Sequence, residues 1–495
     1  MITTVVPDEA LDELGRTEGG EHTLALLVHD QHVRRLLLVR AVLDAVGEAD
    51  PEVCSAATRR RLREDWGLLV EADRAAGGLI TGNSTPDGDR TGGSPLSPAR
   101  ARLFYPMVGA WALSCLRAVR AGTGTSRDAR VLRRELAYFS ALVAAVAARS
   151  GIPFTAELTA RDGVLMLPSL GVFRTAGAGE TPVVVDHRGG RLTIRQRGAA
   201  DAVVHLSHGA GASSAAPAWT PVHTLPALVP GFAPVELDDI DPFRSVAPGS
   251  HYDGLSGTTT LDDAERKRWL ESWQGTADLL GTGGEHRVTE AVTLLRCLVP
   301  LSAPPRSPSE AGTGGSCSGT RREAFGAVLT STPPTAATFA ATIVHELQHA
   351  KLAALHEAVA LHHAGEEKRY WAPWRPDPRH YDGLLQGTYS HLALADFFQR
   401  CALTVSQPVQ REFAWSRHAR YREQVRAALP TVAEAACLTR QGRRFVDQMA
   451  ETFAQMADRP VPQGYAARAA AYVTAARDLW VQRYGDEGYV YSGHP

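Results

Sequence analysis

The chain has 495 residues, enough for two to four domains of roughly 100–200 residues or for one large elaborated one. Its 52 Lys+Arg and 54 Asp+Glu leave a net charge of −2, which argues against a general nucleic-acid binder, because such proteins carry a basic excess. Hydrophobic residues at 44% and charged residues at 21% predict a soluble globular protein, and no apolar run approaches the roughly 18 residues that span a bilayer.

Residues 1–10 include acidic groups and no basic start before an apolar stretch, so no signal peptide is expected. The six cysteines (Cys54, Cys115, Cys297, Cys317, Cys401, Cys437) are scattered and form no CxxC pair. They read as thiols in a reducing cytoplasm rather than as a disulfide framework. Only three of the basic residues are lysines, Lys267, Lys351 and Lys368, an arginine bias that reads as the mark of a GC-rich bacterial genome. Of 18 histidines, seven fall between His345 and His391.

In chain order, apolar residues at helical spacing predict helices over 22–47, 101–122 and 131–148. Residues 77–98 read as an exposed loop. Short β-branched runs at 164–167, 181–185, 191–197 and 202–206 predict strands, with Gly189-Gly190 as a hairpin turn. Residues 207–232 read as a low-complexity bridge. Helix returns at 261–280 and 288–298, a second loop at 306–318, and a strand over 324–331 that Pro333-Pro334 terminates. The rest reads as helical, interrupted by the Pro-rich stretch 372–379. The expected class is α+β, mainly helical, with a zincin-like HExxH helix core and a smaller β-rich middle region. The expected division is a helical region 1–150, a β-rich region 151–260 and a mainly helical metal-binding catalytic region 261–495.

Chemistry concentrates at His345-Glu346-Leu347-Gln348-His349. A helix advances about 100° per residue, so His345 and His349 differ by about 40° and can converge on one ion. Glu346 is rotated by about 100° from His345 and can border the ion without ligating it. This is the pattern of zinc metallopeptidases, in which the Glu is the general base on metal-bound water. Thr335 is the expected N-cap and Gly365 the expected stop of this helix. His356 and His363 lie too far along a straight helix to share the ion and are assigned to a polar stripe or helix end.

A catalytic metal needs a third protein ligand and open positions. The short-spaced third His of metzincins is absent, since Leu352 and Leu355 stand at the required positions. The candidates are Glu366, Glu367, His380, Asp382, His391 and Asp396. His391, among apolar neighbours on a predicted helix over 387–400, is preferred, with Asp396 next because a carboxylate would complete a 2-His-1-carboxylate set for iron(II). Between the helices, Arg375 and Arg379 are candidates to clamp a carboxylate with a bidentate fork. Lys351 reads as a solvated helix residue.

The segments AFGAVLTS (324–331), ATIVHELQHAKLAAL (341–355) and YWAPWRPDPRHYDGLLQGTYSHLALADFF (370–398) resemble the bacterial HExxH-motif proteins associated with ribosomally made peptide natural products. FAPVELDDIDPFR (232–244) and LPSLG (167–171) are also similar to that family. The resemblance covers most of the chain and is specific between His345 and Phe397; His380 departs from the proline expected there. It implies an iron(II)- and 2-oxoglutarate-dependent peptide β-hydroxylase, with iron on His345, His349 and a downstream ligand. It also implies that a keto acid chelates the open positions and that a side-chain Cβ of a precursor peptide is hydroxylated. The alternative is a zinc metallopeptidase with Glu346 as general base and 324–331 as an edge strand that receives substrate. The expected partner is a peptide, with no nucleic acid and no membrane; the sequence is silent on oligomeric state.

Overall fold

The computed structural model describes residues 5–77, 96–121, 126–207, 211–245, 257–303 and 317–485. The predicted loops at 77–98 and 306–318, and residues 208–210 of the predicted bridge, lie largely or wholly outside them. The protein is α+β and mainly helical. Among the described residues no helix is long and apolar enough to cross a membrane.

A five-stranded sheet organises the molecule. Its order is Ser318–Gly319, Ala327–Ser331, Cys297–Leu301, Val235–Leu237, His223–Leu225. The three inner strands are parallel and the two outer ones antiparallel to their neighbours. Alternate residues of the inner strands feed two cores. Cys297, Val299, Leu301, Ala327 and Leu329 face the helices of the first 150 residues, around Trp111 and Phe139. Leu298, Val328 and Leu237 face the opposite way, against Phe339, Ile343 and Leu347 of the HExxH helix. Strands covered on both faces lack the apolar/polar alternation of half-exposed ones. That explains one correction: the predicted helix 288–298 is a helix only over Glu285–Leu294, and the apolar run continues as the strand Cys297–Leu301. It explains a second as well. Strand Ala327–Ser331 is paired on both sides, so it is not a free edge; Ser318–Gly319 is the outer strand.

The middle of the chain forms an antiparallel five-stranded sheet (Phe154–Ala160, Thr181–Arg188, Arg191–Arg195, Ala202–Leu206, Ala212–Ser213) and a three-stranded one. Gly189 and Gly190 make the two-residue turn between paired Arg188 and Arg191, with φ of 54° and 74°. Positive φ at both positions is what a type I′ hairpin turn requires, and glycine adopts it without a Cβ clash. The helices predicted at 22–47, 101–122 and 131–148 are Glu21–Glu48, Pro106–Ala121 and Ser126–Arg149.

Candidate metal centre

The HExxH helix spans Ala336–Ala358 and is capped by Thr335, whose side chain accepts from the Thr338 N–H at 3.2 Å. It stops seven residues before Gly365, because Val359 turns extended (φ −144°, ψ 132°) and the chain then bridges His362 to Leu438. A second helix, Tyr381–Thr404, packs against it. Polar residues meet across the groove in reversed order: His345 with His391, His349 with Gln386, His356 with Asp382. The two helices therefore run antiparallel.

His345 and His349 bring their Nε2 atoms to 3.2 Å from each other. Their ring centroids are 4.7 Å apart, and the His391 ring is 5.6 Å from that of His345. An imidazole bound at about 2.1 Å sets its centroid about 3.2 Å from the ion, so two ligands have centroids about 4.6–5.3 Å apart. The first pair falls in that range and His391 stands just outside it. Burial holds the imidazoles neutral, as metal ligation requires. It drives His345 well below its ordinary range, with the other two rings adding to the effect, and takes His391 down to about 3. His349 is also lowered by burial, although its contact with Gln386 opposes the shift. That contact, Nδ1 to Gln386 Oε1 at 3.1 Å, fixes the tautomer: Nδ1 carries the proton and Nε2 presents a lone pair.

Buried polar atoms in folded proteins almost always have partners. Here His345 Nδ1, His391 Nδ1 and Glu346 Oε2 are buried with none. Glu346 Oε1 accepts from Ser318 Oγ at 2.7 Å and lies 4.0 Å from His345 Nε2. Burial pushes its carboxyl up to about 7 against the opposing Ser318 bond. The outer strand thus holds Glu346 beside the histidines in a state that can accept or release a proton near neutrality.

The Pro-rich segment folds over this groove. Trp374 stands edge-to-face on His391, centroids 4.5 Å apart, and Tyr421 flanks the same ring at 5.2 Å. Gly387 makes room for the indole, since a Cβ there would meet Trp374 at 2.3 Å. Arg379 is half-buried, its Nε lacks a partner, and its charge reaches His349. Arg375 is exposed and donates to Asp377 at 2.9 Å. Of the two predicted clamps, Arg379 is the one that the fold brings to the histidines.

Other expectations need correction. Asp396 ion-pairs with Arg400 at 2.9 Å and Arg287 at 3.5 Å, which removes it from the ligand candidates. Glu367 pairs with Arg369 in the open, and Asp382 joins His356 and His362 instead of His345 and His349. Lys351 is wholly buried on the back of the helix, not solvated. Its ammonium donates to the Thr17 and Glu18 carbonyls and to Glu290, which Arg287 also engages. The network anchors Thr17, which sits at φ 63°, a conformation uncommon outside glycine.

Sequence reasoning passed over Gln386, Ser318 and Tyr421. Gln386 is five residues before His391 on its helix, a position that an antiparallel pairing with His349 would have flagged. Ser318 and Tyr421 come from distant segments and leave no local signal. In comparisons with known proteins, no family model matches the chain and no curated protein matches it.

Proposed function

We propose that the chain is an iron(II)- and 2-oxoglutarate-dependent oxygenase that hydroxylates a side-chain Cβ of a ribosomally made precursor peptide. The observation that carries the metal part is the meeting of the His345 and His349 Nε2 atoms at 3.2 Å, with the His391 ring 5.6 Å from that of His345 across the groove. Three neutral imidazoles suit a first-row divalent ion and leave positions open. The resemblance of residues 345–397 supplies the choice of iron, keto acid and peptide. Iron(II) with 2-oxoglutarate and O₂ supplies the oxidising power to place one oxygen atom in a C–H bond, with the keto acid ending as succinate and carbon dioxide.

In this reading His345, His349 and His391 hold the ion, Gln386 orients His349, and Trp374 and Tyr421 orient His391 and exclude water. Arg379 is assigned the distal carboxylate of the keto acid; its unpartnered Nε leaves a donor free for it. Glu346, held by Ser318, orients water or a ligand at the rim. In the same reading the helix pair is a zincin-like core and the protein works in the cytoplasm.

One observation favours the second reading, a zinc metallopeptidase. Glu346 Oε1 lies 4.0 Å from His345 Nε2, its carboxyl is pushed up to about 7, and it is held by an outer strand to which an extended peptide can add. The test is incubation of anaerobically purified protein with iron(II), 2-oxoglutarate, air and a precursor peptide encoded beside the gene. The oxygenase gives a peptide heavier by one oxygen atom and stoichiometric succinate. Peptide cleavage with zinc and without keto acid would establish the peptidase instead.

A further inference from the structure

His356, His362 and Asp382 form a second cluster, further along the same groove. One ligand atom from each lies within 4.8 Å of the others. His362 Nε2 is 3.4 Å and His356 Nδ1 3.6 Å from Asp382 Oδ1. These separations are long for charge-assisted hydrogen bonds, which run about 2.7–2.9 Å. They match the edge of a tetrahedron around an ion with ligands at about 2.0–2.1 Å, which is about 3.4 Å. His356 Nδ1 is buried and has no hydrogen-bond partner. Arg322 bonds the other carboxylate oxygen, Oδ2, at 2.7 Å, fixing the carboxylate and leaving Oδ1 turned to the imidazoles.

The scaffold is preorganised. His356 is in the last turn of the HExxH helix and Asp382 in the first turn of the facing one. His362, between them, is pinned by its bridge to Leu438 and by the His363 N–H donating to the Cys437 carbonyl at 2.9 Å.

We propose that His356, His362 and Asp382 bind a second divalent cation of the zinc type, which clips the end of the HExxH helix to the start of its partner. The ligand set is two imidazoles and a carboxylate, and solvent supplies the fourth position. Ligation through His362 Nε2 puts that ring's proton on Nδ1, so the 3.2 Å contact from the Ala364 N–H is given up. The cation replaces a hydrogen bond at the long end of the normal range. The site stands independently of the oxygenase reading, because it shares no ligand with His345, His349 or His391.

The experiment is calorimetric zinc titration of chelator-treated full-length protein, with metal content measured after gel filtration. Wild type is expected to bind two equivalents. The variant carrying both His345→Ala and His349→Ala is expected to keep one, and zinc should raise its melting temperature. Adding His356→Gln and Asp382→Asn to that variant should remove the remaining equivalent. The proposal is overturned if the His345→Ala, His349→Ala protein binds none, or if its equivalent survives the two further substitutions. Should Asp382→Asn impair folding, cobalt(II) in the His345→Ala, His349→Ala protein decides. Tetrahedral d–d bands that vanish with His356→Gln alone support the site, and bands indifferent to that substitution contradict it.

Discussion

The two sides of the HExxH helix treat their buried charged groups differently. On the back, Lys351 uses its three donors on the Thr17 carbonyl, the Glu18 carbonyl and Glu290, whose other oxygen takes Arg287 and Gln348. On the front, His345 Nδ1, His391 Nδ1 and Glu346 Oε2 have no partner. Folding alone selects for satisfied groups, because each buried orphan costs about 1–3 kcal/mol. Gln348 Oε1 and Arg287 Nε on the back lack partners too, so orphans alone do not divide the faces; the meeting of the His345 and His349 Nε2 atoms at 3.2 Å is what marks the front as a place kept for a ligand. Burial and charge by themselves do not separate the two, since Lys351 and Glu346 are equally hidden.

Substitutions can break that contrast. The largest effect expected is from Lys351→Met, which leaves one Glu290 oxygen without its cation while Arg287 and Gln348 hold the other. It should cost about 3–5 kcal/mol in urea unfolding while leaving metal stoichiometry unchanged. His391→Ala should do the reverse, losing the front metal on gel filtration while the metal-free protein still unfolds cooperatively. If instead it unfolds the protein and spares the metal, the assignment of faces is inverted. Gln386→Leu should weaken metal binding about 10–100-fold by releasing the tautomer of His349, measured by competition with a chromophoric chelator. Arg379→Ala should raise the dissociation constant for 2-oxoglutarate by about tenfold or more, worth about 1.4 kcal/mol, and Arg375→Ala should change it less.

A pH dependence should accompany these effects. His391 is held down to about 3 by burial, against 6.5 when unfolded. A depressed folded value means the unfolded chain takes up the proton first. Its contribution to stability is therefore complete above about 6.5 and is lost as pH falls toward 3, at about 1.4 kcal/mol per unit. The melting temperature of metal-free protein should fall between pH 7 and 5, and His391→Gln should lessen the slope without removing it, because burial lowers His32, His286, His345, His349 and His418 as well.

Local pattern made some of this legible and left the rest hidden. The HExxH helix, its Thr335 cap and the Gly189-Gly190 hairpin could be read because each depends on residues a few positions apart. The predicted helix over 288–298 takes in the first two residues of the strand Cys297–Leu301 because a strand covered on both faces shows no alternation. Lys351 was misread because its partner Glu290 is 61 residues away. His362 drew no attention because the helix was expected to run to Gly365; ending it at Ala358 is what lets His362 turn back toward Asp382.

The central claim, that the front face holds iron and chelates a keto acid, can be tested without knowing the peptide. Iron(II) and then 2-oxoglutarate are added to the protein under anaerobic conditions and the visible spectrum is recorded. The account predicts a weak iron-to-keto-acid charge-transfer band in wild type, absent with succinate in place of 2-oxoglutarate and absent in His391→Ala. Stoichiometric iron binding with no such band, or a band that persists in His391→Ala, would contradict it.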